Sequence, residues 1–267
     1  MLSMDRAPKH IDIPSVNSRP TVYKAILPIL SWFRDLLSAD RTSTLKRTSK
    51  SGVSDDELNA FRLLVGQAHE IHKANPAGLR SLVTAILRPL QSEHILSVAE
   101  RMEHGAVGEI AIWRLFSQDS FFSIFEERDC LRHEAKSYRI KFSRDIVLTT
   151  PWQRDRFTDA LAFIGEGKKM GNWEQDRNHS IALILPWNFG IVNGGNHSIA
   201  AGILSGEGEA TPTDVCDLTP LLSRVHCDGE YYIDTLSQAR LAPVSNYRMG
   251  ALYEIGRIIT GANKSTA

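Results

Sequence analysis

Ile191-Val192-Asn193-Gly194-Gly195-Asn196-His197-Ser198-Ile199-Ala200-Ala201-Gly202-Ile203-Leu204 is the stretch from which the rest of the chain is read. An apolar run breaks at two glycines, presents Asn, His and Ser, and resumes with residues that suit a helix. The reading is strand, turn, helix. Adjacent glycines reach backbone angles that a β-carbon forbids, and they let the chain come close to a ligand. Asn196 or Ser198 can cap the helix that follows. Unpaired N–H groups at a helix start, facing an open glycine loop, form an anion site. An ordinary tight turn fits the same composition, because short glycine motifs recur widely.

Upstream of this stretch the chain is β-rich. Residues 139–149 alternate as a strand, 155–164 have helical period, and 180–185 form a compact apolar strand. The loop 165–172 between them carries Lys168 and Lys169. Pro186-Trp-Asn-Phe-Gly190 is a turn that feeds Ile191. Asn-His-Ser-Ile-Ala occurs at both 178–182 and 196–200, which we read as coincidence. Downstream, Thr219-Pro220 opens a short helix, Asp228-Gly229 a turn into a strand, and 245–259 a closing helix. Met249, Leu252, Ile255, Ile258 and Ile259 form the apolar stripe of that last helix.

The first half reads differently. Residues 1–20 are polar and proline-bearing, 21–37 amphipathic, and 38–52 rich in Ser, Thr, Lys and Arg. Ser54-Asp-Asp-Glu57 is a capping box, so a helix begins there. Helical period continues from 79, is interrupted at Pro89, and resumes over 92–102 and 105–116. Phe121, Phe122, Ile124 and Phe125 form an apolar cluster. The organisation expected is a helix and linker over 1–53, a helical domain or cap over 54–135, and a mixed domain over 136–260. The fold class is α+β, with a helical N-terminal half packed on a small mixed sheet.

Gly194-Gly195-Asn196-His197-Ser198-Ile199-Ala200-Ala201 resembles the strand–loop–helix signature of the ParB/sulfiredoxin-like superfamily. Asp145-Ile-Val-Leu-Thr-Thr-Pro-Trp-Gln-Arg-Asp-Arg-Phe157 is similar to the ParB opening, a strand followed by Asn-Pro-x-Gln-Pro-Arg-x-x-Phe. The resemblance covers residues 140–210 and implies a nucleoside triphosphate, with Mg2+, or a nucleic acid as ligand. It makes His197 and Asn196 the candidate catalytic residues. Asn193, Gly194, Gly195, Ser198, Gln153, Arg154, Arg156, Lys168 and Lys169 become candidate ligand contacts. Two departures stand out: Asn196 replaces the sulfiredoxin cysteine, which rules out sulfinate repair, and Ser198 replaces a phosphate-pairing arginine. Lys168 and Lys169 are the nearest substitutes for that charge.

Composition sets further bounds. Charges balance at 31 against 31 and 42% of residues are hydrophobic, as in a globular protein with a buried core. That neutrality argues against non-specific nucleic-acid binding by overall charge. Cys130, Cys216 and Cys227 lack a CxxC pair and read as buried or idle thiols in a reducing compartment, so a cytoplasmic protein is expected. The apolar run 25–37 is too short to span a bilayer, and no membrane association is expected. His179, His197, His226 and Asp228 have no known ligand spacing, and neither a Gly-x-Ser-x-Gly elbow nor a Walker or Rossmann fingerprint occurs. The function expected is nucleotide or nucleic-acid binding at the glycine loop, with phosphoryl transfer, nucleotide hydrolysis or strand cleavage open. The alternative is a non-catalytic scaffold that takes a protein partner.

Overall fold

The computed structural model describes residues 52–100, 115–117, 129–244 and 246–262, all within one compact unit, Thr48–Ala267. The helices expected over 21–37 and most of 105–116, and the apolar cluster at 121–125, lie outside the described residues. Among the described residues no helix is long and apolar enough to cross a membrane.

Helix α1, Asp55–Ala74, starts where the capping box places it. The Ser54 hydroxyl accepts from the Glu57 amide, and the Glu57 carboxylate accepts from the Ser54 amide at 2.9 Å. Asn75 then caps a 3-10 turn, Pro76–Gly78, through its Oδ1 and the Ala77 amide. Helix α2, Leu79–Glu100, runs unbroken through Pro89. This corrects the reading of two helices there. A proline inside a helix costs about 3 kcal/mol, because it removes one hydrogen bond and crowds the preceding turn. Burial of Leu79, Val83, Ile86, Leu87, Ile95 and Val98 offsets that cost, and the Gln91 amide donates to the Val147 carbonyl at 2.9 Å.

The strand expected over 139–149 is two short strands in different sheets. Strand β1 is Leu131–Arg132, β2 is Ile140–Lys141 and β3 is Val147–Leu148. Asp145 makes the break between β2 and β3. Its amide bonds the Lys141 carbonyl, and its carboxylate takes the Lys141 amide, Arg144 and, from α2, Arg80. Burial pushes the Asp145 carboxyl up, but Arg144, the Lys141 amide and Arg80 outweigh it and hold the group below its ordinary range.

Helix α3, Arg154–Phe163, is followed by strands β4, Ser180–Leu185, and β5, Phe189–Gly194. Helix α4, Asn196–Ser205, leads through β6, Glu209–Ala210, to β7, Asp214–Asp217. The main sheet has the order β1-β7-β4-β5-β3 and is mixed, β4 with β5 being antiparallel and β3 with β5 parallel. Strands β2 and β6 pair separately. Ile181, Leu183 and Val192 of the sheet pack with Phe142, Trp173 and, from α4, Ile199. Cys130 and Cys216 are joined by a disulfide, which corrects the reading of all three as thiols, and only Cys227 remains a free, buried thiol. The β1–β7 pairing brings the two together across 86 residues, a separation that leaves no local signal.

The closing elements are helix α5, Thr219–Arg224, the antiparallel strands β8, Val225–Cys227, β9, Tyr231–Asp234, and β10, Arg240–Pro243, and helix α6, Tyr247–Thr260. A single apolar stripe was expected on α6. Instead every residue from Met249 to Ile258 is buried, Glu254 and Arg257 included. Helices α1, α2 and α5 and strand β8 all pack on it. Its two charges are kept inside by pairing. Arg257 bonds Glu254 and the Leu222 carbonyl, and Glu254 accepts the Cys227 amide at 2.7 Å. Burial raises the Glu254 carboxyl above its ordinary value, against the opposing pull of Arg257. The architecture is α+β, with helices before the sheets in the described chain.

Two glycines make opposite predictions. A β-carbon on Gly256 would lie 2.5 Å from the Trp187 ring. Gly256→Ala should therefore destabilise the fold by about 1–3 kcal/mol through overpacking. A β-carbon on Gly66, an exposed position of α1, meets nothing within 4 Å. Gly66→Ala should stabilise by about 0.5–1 kcal/mol. Urea unfolding of both variants checks the pair.

Candidate functional site

Strands β3 and β5 run parallel and adjacent, and each hands the chain to a helix at its carboxyl end. Between those helices, α3 and α4, lies a groove of about 280 Å³. Arg156, Asp159, Ala160 and Phe163 of α3 line one side, Ile164 and Met170 the end, and Gly195, His197 and Ser198 the other side.

The turn from β5 to α4 depends on Gly195, whose φ of 79° lies in the left-handed region. Gly195 is itself the N-cap and supplies no side-chain cap, which corrects the assignment of that role to Asn196 or Ser198. A β-carbon at Gly195 would collide with the His179 ring. Beyond the cap, the amides of Asn196, His197 and Ser198 have no carbonyl partner among the described residues, as expected of a first helical turn.

The three polar side chains of the turn are already engaged. Asn196 Oδ1 accepts from Thr149 Oγ1 at 2.8 Å and from the Thr150 amide at 2.9 Å. His197 Nε2 accepts from the amides of Trp152 and Gln153 at 3.3 and 3.1 Å. Both residues thus tie the start of α4 to the segment that joins β3 to α3. Burial and the nearby Arg156 guanidinium push the His197 pKa below its ordinary value.

Ser198 Oγ lies 2.6 Å from His179 Nε2, and His179 Nδ1 lies 3.2 Å from an Asp176 carboxylate oxygen. These distances resemble a serine–histidine–aspartate relay. The tautomer decides otherwise. The Asp176 amide donates to His179 Nδ1 at 2.8 Å, so that nitrogen carries the lone pair and Nε2 carries the proton. Nε2–H then donates to Ser198, whose own proton goes to the Gly195 carbonyl at 3.2 Å. Burial lowers the His179 pKa, against the opposing Asp176 carboxylate, and so favours this neutral ring. A base that already holds its proton toward the serine cannot activate it.

The cations are dispersed. Arg156 lines the groove and lies over the exposed Trp152 ring, 5.7 Å from its centroid. Lys169 lies 5.8 Å over Phe163 at the far end. Lys168 donates to the Leu161 carbonyl at 2.7 Å. Arg154 reaches the Ala99 carbonyl of α2 and stays outside the groove lining. Gln153 meets the site through its backbone amide. Asn193 is exposed, and Gly194 pairs with Ser180, so neither lines the groove. Among the described residues no group of three His, Cys, Asp or Glu is placed to hold a metal ion. Sequence reasoning missed Asp159 and Phe163, which share one face of α3 with Arg156, and Trp152, which lies just before that helix. The period of three to four residues on α3 was the available signal.

Two measurements test this geometry. Asn196→Ala strands the buried donors of Thr149 and Thr150 and should cost about 1–3 kcal/mol in urea unfolding. The two histidines also predict a pH dependence. Their folded pKa values lie below the ordinary 6.5, so the unfolded chain binds protons first as pH falls. Stability from this source is complete above about 6.5 and declines as pH drops toward the folded values. Thermal unfolding across that window should show the decline, with a shallower slope for His197→Gln.

Comparison with curated proteins and with solved structures returns no match to this chain. Residues 44–266 match the model of a family of unknown function, DUF6710, and this includes every element of the groove. Over most of its length, therefore, the chain belongs to the DUF6710 family.

Proposed function

We propose that this protein is a nucleotide-binding module whose site is the groove between α3 and α4. One observation carries the reading. The groove lining combines apolar Ala160, Phe163, Ile164 and Met170 with Arg156 and with Gly195, His197 and Ser198 of the turn, beside the single carboxylate of Asp159. A ligand with a flat apolar body and an anionic group matches both parts of that lining. The carboxyl ends of adjacent parallel strands are also where open α/β sheets bind ligands. The phosphate would gain from the first-turn amides of α4 and from Arg156, with Mg2+ a candidate companion of a triphosphate. The resemblance to the ParB/sulfiredoxin-like signature points to the same ligand class. Asn196, His197 and Ser198 are spent on holding the turn, so the reading is binding without catalysis.

That same engagement favours a second reading, in which the turn is only a scaffold and the partner is another protein. Both readings involve no membrane. We place the module in the cytoplasm on account of its ligand alone, because the Cys130–Cys216 bridge takes away the argument from idle thiols.

Isothermal titration with ATP, CTP and GTP, with and without magnesium, separates the two. The binding reading expects saturable heat with one of them, and Arg156→Gln should weaken it tenfold or more, from about 1.5–3 kcal/mol for a charged hydrogen bond. No heat with any of the three favours the scaffold.

A further inference from the structure

The face of α3 that borders the groove carries more than one nucleotide needs. Trp152, just before the helix, is 45% exposed and has the Arg156 guanidinium over its ring. Phe163, the last residue of the helix, is 40% exposed and has the Lys169 ammonium over its ring. Two large aromatic surfaces are thus half open to water, each with a cation at its face. Arg156 and Phe163 are seven residues apart, two turns along one face, or about 10 Å. The chain carries no net charge, so its overall charge supplies no attraction for a polyanion, and stacking adds to what the two local cations provide.

We infer that this face binds single-stranded nucleic acid, with Trp152 and Phe163 stacking on bases and Arg156 and Lys169 meeting phosphates. The inference rests on the nucleotide reading of the groove and extends it to a polymer. A nucleobase presents a flat π-face whatever its identity, so stacking gives affinity without sequence preference. Duplex DNA hides those faces and offers nothing to Trp152 or Phe163. Asp159 lines the same side of the groove as Arg156 and repels phosphate, which weakens the hold of Arg156 on the strand. With two phosphate contacts, binding to a single strand should depend weakly on salt, with a log–log slope of about −1.4.

The test is fluorescence anisotropy of the full chain with a labelled twelve-nucleotide oligothymidylate, a duplex of equal length, and each mononucleotide as competitor. Single-strand binding is expected, with the duplex bound more weakly. Trp152→Ala and Phe163→Ala should each lose roughly fivefold or more, and Trp152→Phe should restore most of the loss. Arg156→Gln should reduce the salt slope by about 0.7. Asp159→Asn should tighten binding. Unchanged affinity in both alanine variants, equal binding of duplex, or weaker binding by Asp159→Asn overturns the inference. Mononucleotide binding without oligonucleotide binding overturns it and leaves the nucleotide reading standing, whereas binding of neither removes both. Urea unfolding of the alanine variants separates lost stacking from lost folding.

Discussion

The backbone of Gly195 lies against the ring of His179 so closely that no side chain fits between them. Much of the site follows from that contact. It needs glycine twice over, for the left-handed angle and for the space. With His179 lodged there, its Nε2–H meets Ser198 and fixes how far α4 rotates as it leaves the turn. Asn196 and His197 then face the opposite way, toward the segment between β3 and α3, and bond to it. The groove is the space left between two helices whose starts are stitched together by side chains of one of them.

This construction separates rigidity from reactivity. An imidazole that accepts two amide hydrogen bonds is a good strut and a poor acid, because protonation sets a third N–H against two others. The groove is correspondingly well fixed on its α4 side. Its open chemistry lies on α3, where Arg156, Asp159 and Phe163 face the space and Trp152 flanks it.

Local signals in the sequence served well where the cause of structure was local. The capping box at Ser54, the strand 180–185 and the strand–turn–helix at 191–204 are set by neighbours a few residues away, and all three stand as read. Pro89 misled because its cost is local while the burial that offsets it comes from the whole length of α2. Asp145 splits an alternating β-rich stretch by gathering Arg80 from another helix, and no periodicity records that. The two copies of Asn-His-Ser-Ile-Ala read as coincidence, yet His179 of one bonds Ser198 of the other. The residues that looked catalytic were legible as important. Their role was not, because a histidine that pins a loop and one that moves a proton share one letter, and only the partners of each ring nitrogen tell them apart.

Helix α6 is the last element of the described chain and also the one around which α1, α2, α5 and β8 are packed. During synthesis the chain emerges from its N-terminus at about 5–20 residues per second, so α1 precedes the helix that covers it by roughly 10–40 s. Throughout that interval the apolar faces of α1 and α2 lack their main cover. The growing chain thus carries, for a time, apolar faces that α6 covers only later. Shielding of those faces during that interval favours folding over aggregation.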